Sequence, residues 1–186
     1  MATLFSDDFN RADNDVPGNG WTERGSDFDI LSNTLTSSNT AQTDTCHNST
    51  GIVSANYAVQ ASRSHSSGYG GVCGRRVDQG ADSDMYAALT LVGTGFELYK
   101  YVGGAFTQLG STYTTTISAG VAYTVRLAMQ GATITGFLDG VERVSATDST
   151  LTAQGNAGVM NYGTAWDDFL VEDLRPSGQF LCKGHA

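Results

Sequence analysis

The chain has 186 residues, 40% of them apolar and only 16% charged, with 23 glycines and two prolines. A chain of this length with this apolar share fills one core, which excludes a disordered polymer and favours many short strands joined by tight turns. The formal net charge is −9 and the only adjacent basic pair is Arg75-Arg76. Such a surface repels phosphate backbones and excludes a nucleic-acid partner.

The N-terminus, Met1-Ala2-Thr3-Leu4-Phe5-Ser6-Asp7-Asp8, has no basic start and no apolar run of signal length. Synthesis in the cytoplasm is expected. No stretch approaches the roughly 18 apolar residues of a membrane-spanning helix, so no membrane partner is expected.

Taken in order, strands are predicted at Leu4–Asn10, Phe28–Leu31, Thr34–Ser37, Ile52–Ser62, Gly70–Val77 and Met85–Val92. A hairpin follows, with strands Phe96–Val102 and Ala105–Leu109 around Gly103-Gly104. Next comes Tyr123–Gln130, where Tyr123, Val125, Leu127 and Met129 alternate with smaller or polar residues and so share one buried face. Ala132–Leu138 and Val141–Ala146 flank Asp139-Gly140, a dipeptide whose residues tolerate the positive φ of a type I′ turn. Gly155–Asn161 and Trp166–Asp173 complete the set. Residues 11–20, 38–50 and 78–84 read as loops. Residues 1–175 form the predicted domain, and residues 176–186 a tail, with Phe180 and Leu181 able to dock on a neighbour. About a dozen short strands and no helical periodicity predict an all-β, two-sheet antiparallel sandwich.

Three cysteines, Cys46, Cys73 and Cys182, form neither a zinc pattern nor a disulfide framework. Free, partly buried thiols are expected, with a Cys46–Cys73 bridge the alternative.

Several segments together resemble concanavalin A-like lectin/glucanase domains of the laminin-G-like type. The opening Leu4-Phe5-Ser6-Asp7-Asp8-Phe9-Asn10-Arg11, then Gly20-Trp21 and Phe28-Asp29-Ile30, is similar to the start of such domains. Tyr123-Thr124-Val125-Arg126-Leu127, Phe137-Leu138-Asp139-Gly140 and Trp166-Asp167-Asp168-Phe169 are similar to their closing strands. The resemblance implies a jelly roll with first and last strands adjacent and with Trp21 and Trp166 as core aromatics. Openings of this kind occur in bacteriophage structural proteins. The implied role is a virion surface or structural module, such as a capsid decoration, head fibre or tail-associated protein. Its implied partners are other virion proteins or cell-surface polysaccharide, within a homo-oligomer or larger assembly. A free carbohydrate-binding lectin is the alternative, and a glycoside hydrolase a third reading.

Hydrolysis of a glycoside needs two carboxylates about 5–9 Å apart. The Glu-x-Asp-x-x-Glu strand of the glucanase branch is absent from this sequence, and no Gly-x-Ser-x-Gly elbow occurs. A non-enzymatic protein with no required cofactor is therefore expected. The resemblance also implies that a structural calcium ion could clamp first strand to last through Asp8 and Asp168, with Asp7 or Asp167 beside them. Carbohydrate binding calls for aromatic faces and polar groups. The candidates are Trp21, Tyr69, Arg75, Arg76, Tyr86, Tyr99 and Tyr101, of which Tyr99 and Tyr101 share one face of their strand with Glu97, and Arg75 with Tyr86 is expected on a concave sheet. The same aromatics also suit a core or an oligomer interface.

Overall fold

The computed structural model describes residues 1–25, 27–37, 44–65, 67–79, 82–160 and 164–175. The predicted tail, with Phe180, Leu181, Cys182 and His185, lies outside them. Among the described residues there are fifteen strands and no helix.

Sheet A contains β1 (Thr3–Asp7), β3 (Phe28–Leu31), β4 (Thr34–Ser37), β6 (Tyr57–His65), β11 (Tyr123–Gln130), β12 (Thr133–Leu138), β13 (Val141–Thr147) and β15 (Thr164–Asp173). Sheet B contains β2 (Thr22–Arg24), β5 (Thr45–Asn48), β7 (Tyr69–Gln79), β8 (Asp82–Leu91), β9 (Gly95–Val102), β10 (Ala105–Thr114) and β14 (Asn156–Met160). The order across sheet A is β13-β12-β11-β6-β15-β4-β3, with β1 on β15; across sheet B it is β10-β9-β8-β7-β14-β5-β2. All pairs are antiparallel, so the fold is a two-sheet jelly-roll sandwich. First and last strands are neighbours, with Phe5 opposite Val171 and Asp7 opposite Phe169.

The predicted alternation of β11 is realised: Val125, Leu127 and Met129 enter the core between the sheets. Trp21 and Trp166 are buried there too. Trp21 stacks edge-on to Phe169 at 4.7 Å and packs against Phe5 and Phe9, which seals the β1 end of the sandwich. Two strands were not expected. β5 falls in a stretch read as a loop because Thr45-Cys46-His47-Asn48 lacks an apolar alternation, yet all four residues are buried. β2 is only three residues long. The predicted loop at 78–84 is also corrected, since Asp78 pairs with Ser83 as the end of the β7–β8 hairpin.

Cys46 and Cys73 are free, buried thiols. Cys46 enters the core between the sheets, whereas Cys73 joins a second apolar cluster on the outer side of sheet B. β14 runs between their strands, so their backbones stand about 9–10 Å apart, beyond the roughly 7 Å that a disulfide spans. The Cys46–Cys73 bridge does not form.

The sharpest irregularity lies in β7. Gly74 pairs with Tyr86 and Val77 with Asp84, so Arg75 and Arg76 together oppose Met85. Arg75 takes a φ of +48°, a left-handed conformation that costs a non-glycine residue about 1–2 kcal/mol. This bulge resets the in–out parity of the strand. Arg75 turns into the sandwich and is 1% exposed. Its guanidinium donates to the carbonyls of Ala55 (2.9 Å), Leu151 (2.7 Å) and Gly131 (2.8 Å), and its backbone N–H donates to the Tyr57 hydroxyl. Three segments far apart in sequence are thus tied to one side chain. Arg75→Ala leaves those acceptors unpaired at about 1–3 kcal/mol each. Denaturant unfolding is expected to show a loss of about 3 kcal/mol or more, which Arg75→Lys recovers only in part.

Candidate functional site

Sheet A is apolar on one side only, but sheet B is apolar on both. On its outer side Cys73, Met85, Ala87, Leu89, Tyr101 and Met160 form a buried cluster, with Tyr69, Leu91, Tyr99 and Phe106 half-buried against it. The alternation of β9 explains its share. Phe96 and Leu98 face the core, which sends Glu97, Tyr99 and Tyr101 outward. The β9–β10 turn sets Phe106 opposite Tyr101. Tyr99 meets the Phe106 ring edge-on at 5.8 Å, and Tyr101 lies 4.5 Å from the same ring.

Tyr69, Leu89, Leu91, Tyr99 and Phe106 enclose a hollow of about 180 Å³. Tyr99 donates from its hydroxyl to Glu97 Oε2 at 2.5 Å, and Thr112 donates to the other oxygen of that carboxylate. Burial, reinforced by this bond to a carboxylate, pushes the Tyr99 phenol up to about 12. The ring is therefore neutral and fixed in orientation. Tyr99, one of the expected residues, lines the hollow. Tyr101 is buried and supports it through Phe106. Tyr69, also among the expected residues, lines it too, whereas Leu89, Leu91 and Phe106 were not singled out from the sequence. Phe106 was within reach there, because a two-residue turn fixes the hairpin register; Leu89 and Leu91 were not, because their place depends on how β7, β8 and β9 align.

The expected pair Arg75 and Tyr86 does come together, but inside. The Arg75 guanidinium lies 5.9 Å from the Tyr86 ring centre, and Tyr86 is 0% exposed. Its hydroxyl donates to Asp148 Oδ1 at 2.6 Å and accepts from the Leu151 N–H at 3.1 Å. Lys100 reaches the second Asp148 oxygen at 2.6 Å. These residues clamp the 148–151 loop onto the sandwich and offer no surface to a ligand. The expectation that they line a concave face is corrected, and the bulge is the physical reason for Arg75.

It is Arg76 that faces outward. Its Nε donates to Thr45 Oγ1 at 3.0 Å, and Nη2 to Ser83 Oγ at 2.8 Å and Asp78 Oδ1 at 2.9 Å. Arg24 also donates to Asp78 Oδ1, at 2.6 Å. β2 and β7 are three strands apart in the sheet, about 14 Å if it were flat. The reach of the two side chains, with the bend that a bulge gives its strand, closes this distance. His47, 6% exposed, lies in this polar cluster. A recess of about 370 Å³ opens here, lined by Arg76, Asp78, Ser49, Gln154 and Asn156 among others.

The acidic pairs at the β1–β15 end also meet. Asp8 and Asp168 line one cleft, where Asp168 is turned outward by a bulge with φ +51°. Burial, with Asp168 and Asp8 adding repulsion, raises the Asp167 carboxyl. Asp7, however, is committed. Its oxygens accept from Arg11 at 2.7 and 3.1 Å, Asn19 at 3.0 Å, Trp21 Nε1 at 2.8 Å and the Phe9 N–H at 2.9 Å. Burial pulls its pKa up, but these bonds outweigh that and hold it below the usual carboxylate value. Among the described residues no three His, Cys, Asp or Glu side chains gather around a common metal position. Calcium takes six to eight oxygens, so a clamp at Asp8 and Asp168 would need backbone carbonyls or waters for the rest.

Comparison with solved structures places the chain among jelly-roll proteins. It superposes on the carbohydrate-binding module CBM66 from Bacillus subtilis with a TM-score of 0.73, 17% identity and coverage of 83% of this chain and 96% of that one. A galectin-like protein of unknown function from Bacillus subtilis gives 0.69 at 13% identity, covering 93% and 96%. The Bacillus licheniformis β-glucanase gives 0.65 at 13% identity, covering 94% and 100%. No protein-family model and no curated protein sequence matches the chain. At these identities the likeness establishes the fold, which serves binding modules and hydrolases alike.

Two measurements check this description. Thermal melting in millimolar calcium and in chelator should give the same midpoint, and a rise of several degrees with calcium would establish the clamp. The second concerns His47 and His65. Burial, then Arg76 beside His47 and Arg63 beside His65, lowers both to about 4 from the ordinary 6.5. The unfolded chain thus binds these protons first. The stability contributed by the neutral rings is complete above pH 6.5 and disappears as pH falls from 6.5 to 4. Unfolding midpoints should fall across that window and flatten in a His47→Gln, His65→Gln variant.

Proposed function

We propose that the protein is a non-catalytic carbohydrate-binding module that takes a glycan on the outer face of sheet B. The observation that carries this reading is the hollow framed by Tyr69, Tyr99 and Phe106. Sugars present C–H faces that pack on aromatic rings and hydroxyls that need nearby polar partners. The hollow supplies rings held rigid by packing, and the polar cluster around Arg76 lies on the same face of the sheet. Two structural neighbours, the carbohydrate-binding module and the galectin-like protein, support the reading by fold.

Catalysis is the weaker alternative, although the β-glucanase shares the fold. None of the five residues lining the hollow is a carboxylate, and both Glu97 oxygens already accept from Tyr99 and Thr112. Placement on a virion, with capsid or tail proteins as partners, is part of the proposal that rests on the sequence resemblance alone.

Tyr99→Ala and Phe106→Ala should each weaken glycan binding about tenfold, the equivalent of roughly 1.4 kcal/mol, on a glycan array followed by calorimetry. The variants should remain folded by circular dichroism. Unchanged binding in both would reject the hollow as the site.

A further inference from the structure

We propose that the polar end of this face is a subsite for a carboxylate on the ligand, so that the glycan selected contains uronic or similar acid sugars. The proposal rests on the glycan-binding reading above and narrows it.

The first support is a pair of buried side-chain atoms without partners. The Arg76 side chain is fully buried, and among the described residues its Nη1 donates to nothing, while Nε and Nη2 are fully used. His47 Nδ1, in the same cluster, is also buried and unpaired. Leaving such a group unmade costs about 1–3 kcal/mol, and native proteins seldom do so without a ligand or an ordered water to fill the gap.

The second support is the way charge is shared. Among the described residues Asp78 Oδ1 is the one carboxylate oxygen on Arg76, and it also serves Arg24. The Asp78 side chain is 53% exposed, so water weakens both pairs. Arg76 is therefore a buried guanidinium with half a share in a solvated counter-ion. It lines a recess with Ser49, Gln154 and Asn156, which can bond sugar hydroxyls. With Nε and Nη2 occupied, Nη1 is left to donate to a carboxylate oxygen, and such a charge-assisted bond is about twice as strong as one to a neutral hydroxyl. The overall charge of −9 opposes a polyanion at long range, but at physiological salt such fields fade within about 8 Å.

The experiment measures binding of the intact chain to oligogalacturonate and to the same oligomer after reduction of its carboxyl groups. The native oligomer should bind at least tenfold more tightly, and its affinity should fall with added salt. Asp78→Asn, which removes the competing carboxylate, should strengthen binding of the native oligomer several-fold and leave the reduced one unchanged. Arg76→Lys should abolish the preference. Equal affinity for the two oligomers, or equal binding of dextran sulfate, would overturn the carboxylate subsite and leave the glycan-binding reading standing. No binding to either oligomer or to any neutral glycan would overturn both.

Discussion

The outer face of sheet B depends on the bulge that separates Arg75 from Arg76. In an unbroken strand, adjacent side chains take opposite faces and Arg75 would follow Cys73 outward. The left-handed φ at Arg75 reverses that assignment. The strain is offset inside, where one guanidinium satisfies three carbonyls and the backbone N–H meets Tyr57. It has a consequence outside, where Arg76 and Asp78 swing toward β5 and β2 and gather Thr45, Ser83 and Arg24 around them. One backbone conformation thus both anchors the loops at one end of the sandwich and builds the polar half of the site.

The apolar half follows from a different constraint. In β8, the run Met85-Tyr86-Ala87-Ala88-Leu89-Thr90-Leu91 is apolar at all but one position, so the strand cannot assign one face to water. Tyr86 and Ala88 fill the core while Met85, Ala87 and Leu89 need cover on the other side. The rings of Tyr69, Tyr99, Tyr101 and Phe106 provide part of it, and the hollow is the space between those that do not close completely. The site is thus an extension of the packing that stabilises sheet B, and its shape is set by rings with little freedom to move.

The other end of the sandwich shows why a charged cluster is a poor guide to a site. Two Asp-Asp pairs meet there as the antiparallel pairing of β1 and β15 requires. Yet Asp7 is a structural hub: Arg11, Asn19, Trp21 and the Phe9 N–H consume its oxygens and fasten the chain that leads out of β1. The Asp7 charge is already balanced within the protein.

Alternation of side chains was enough to find most strands, the turns at Gly103-Gly104 and Asp139-Gly140, and the outward set Glu97, Tyr99 and Tyr101, because each depends on neighbours within a few residues. The jelly roll and the adjacency of β1 and β15 were implied by the resemblance of the opening and closing segments to concanavalin A-like domains. The polar strands β2 and β5 escaped notice, since their burial comes from strands distant in sequence rather than from their own pattern. So did the exchange of Arg75 for Arg76, because a bulge is an agreement among three strands, β7, β8 and β14, on where one extra residue goes. The sequence by itself determined which residues alternate and hence the class of fold. Only the tertiary structure decided which of the faces so defined carries the aromatic hollow and the polar cluster, because register and bulges are set by contacts between strands that no local pattern encodes.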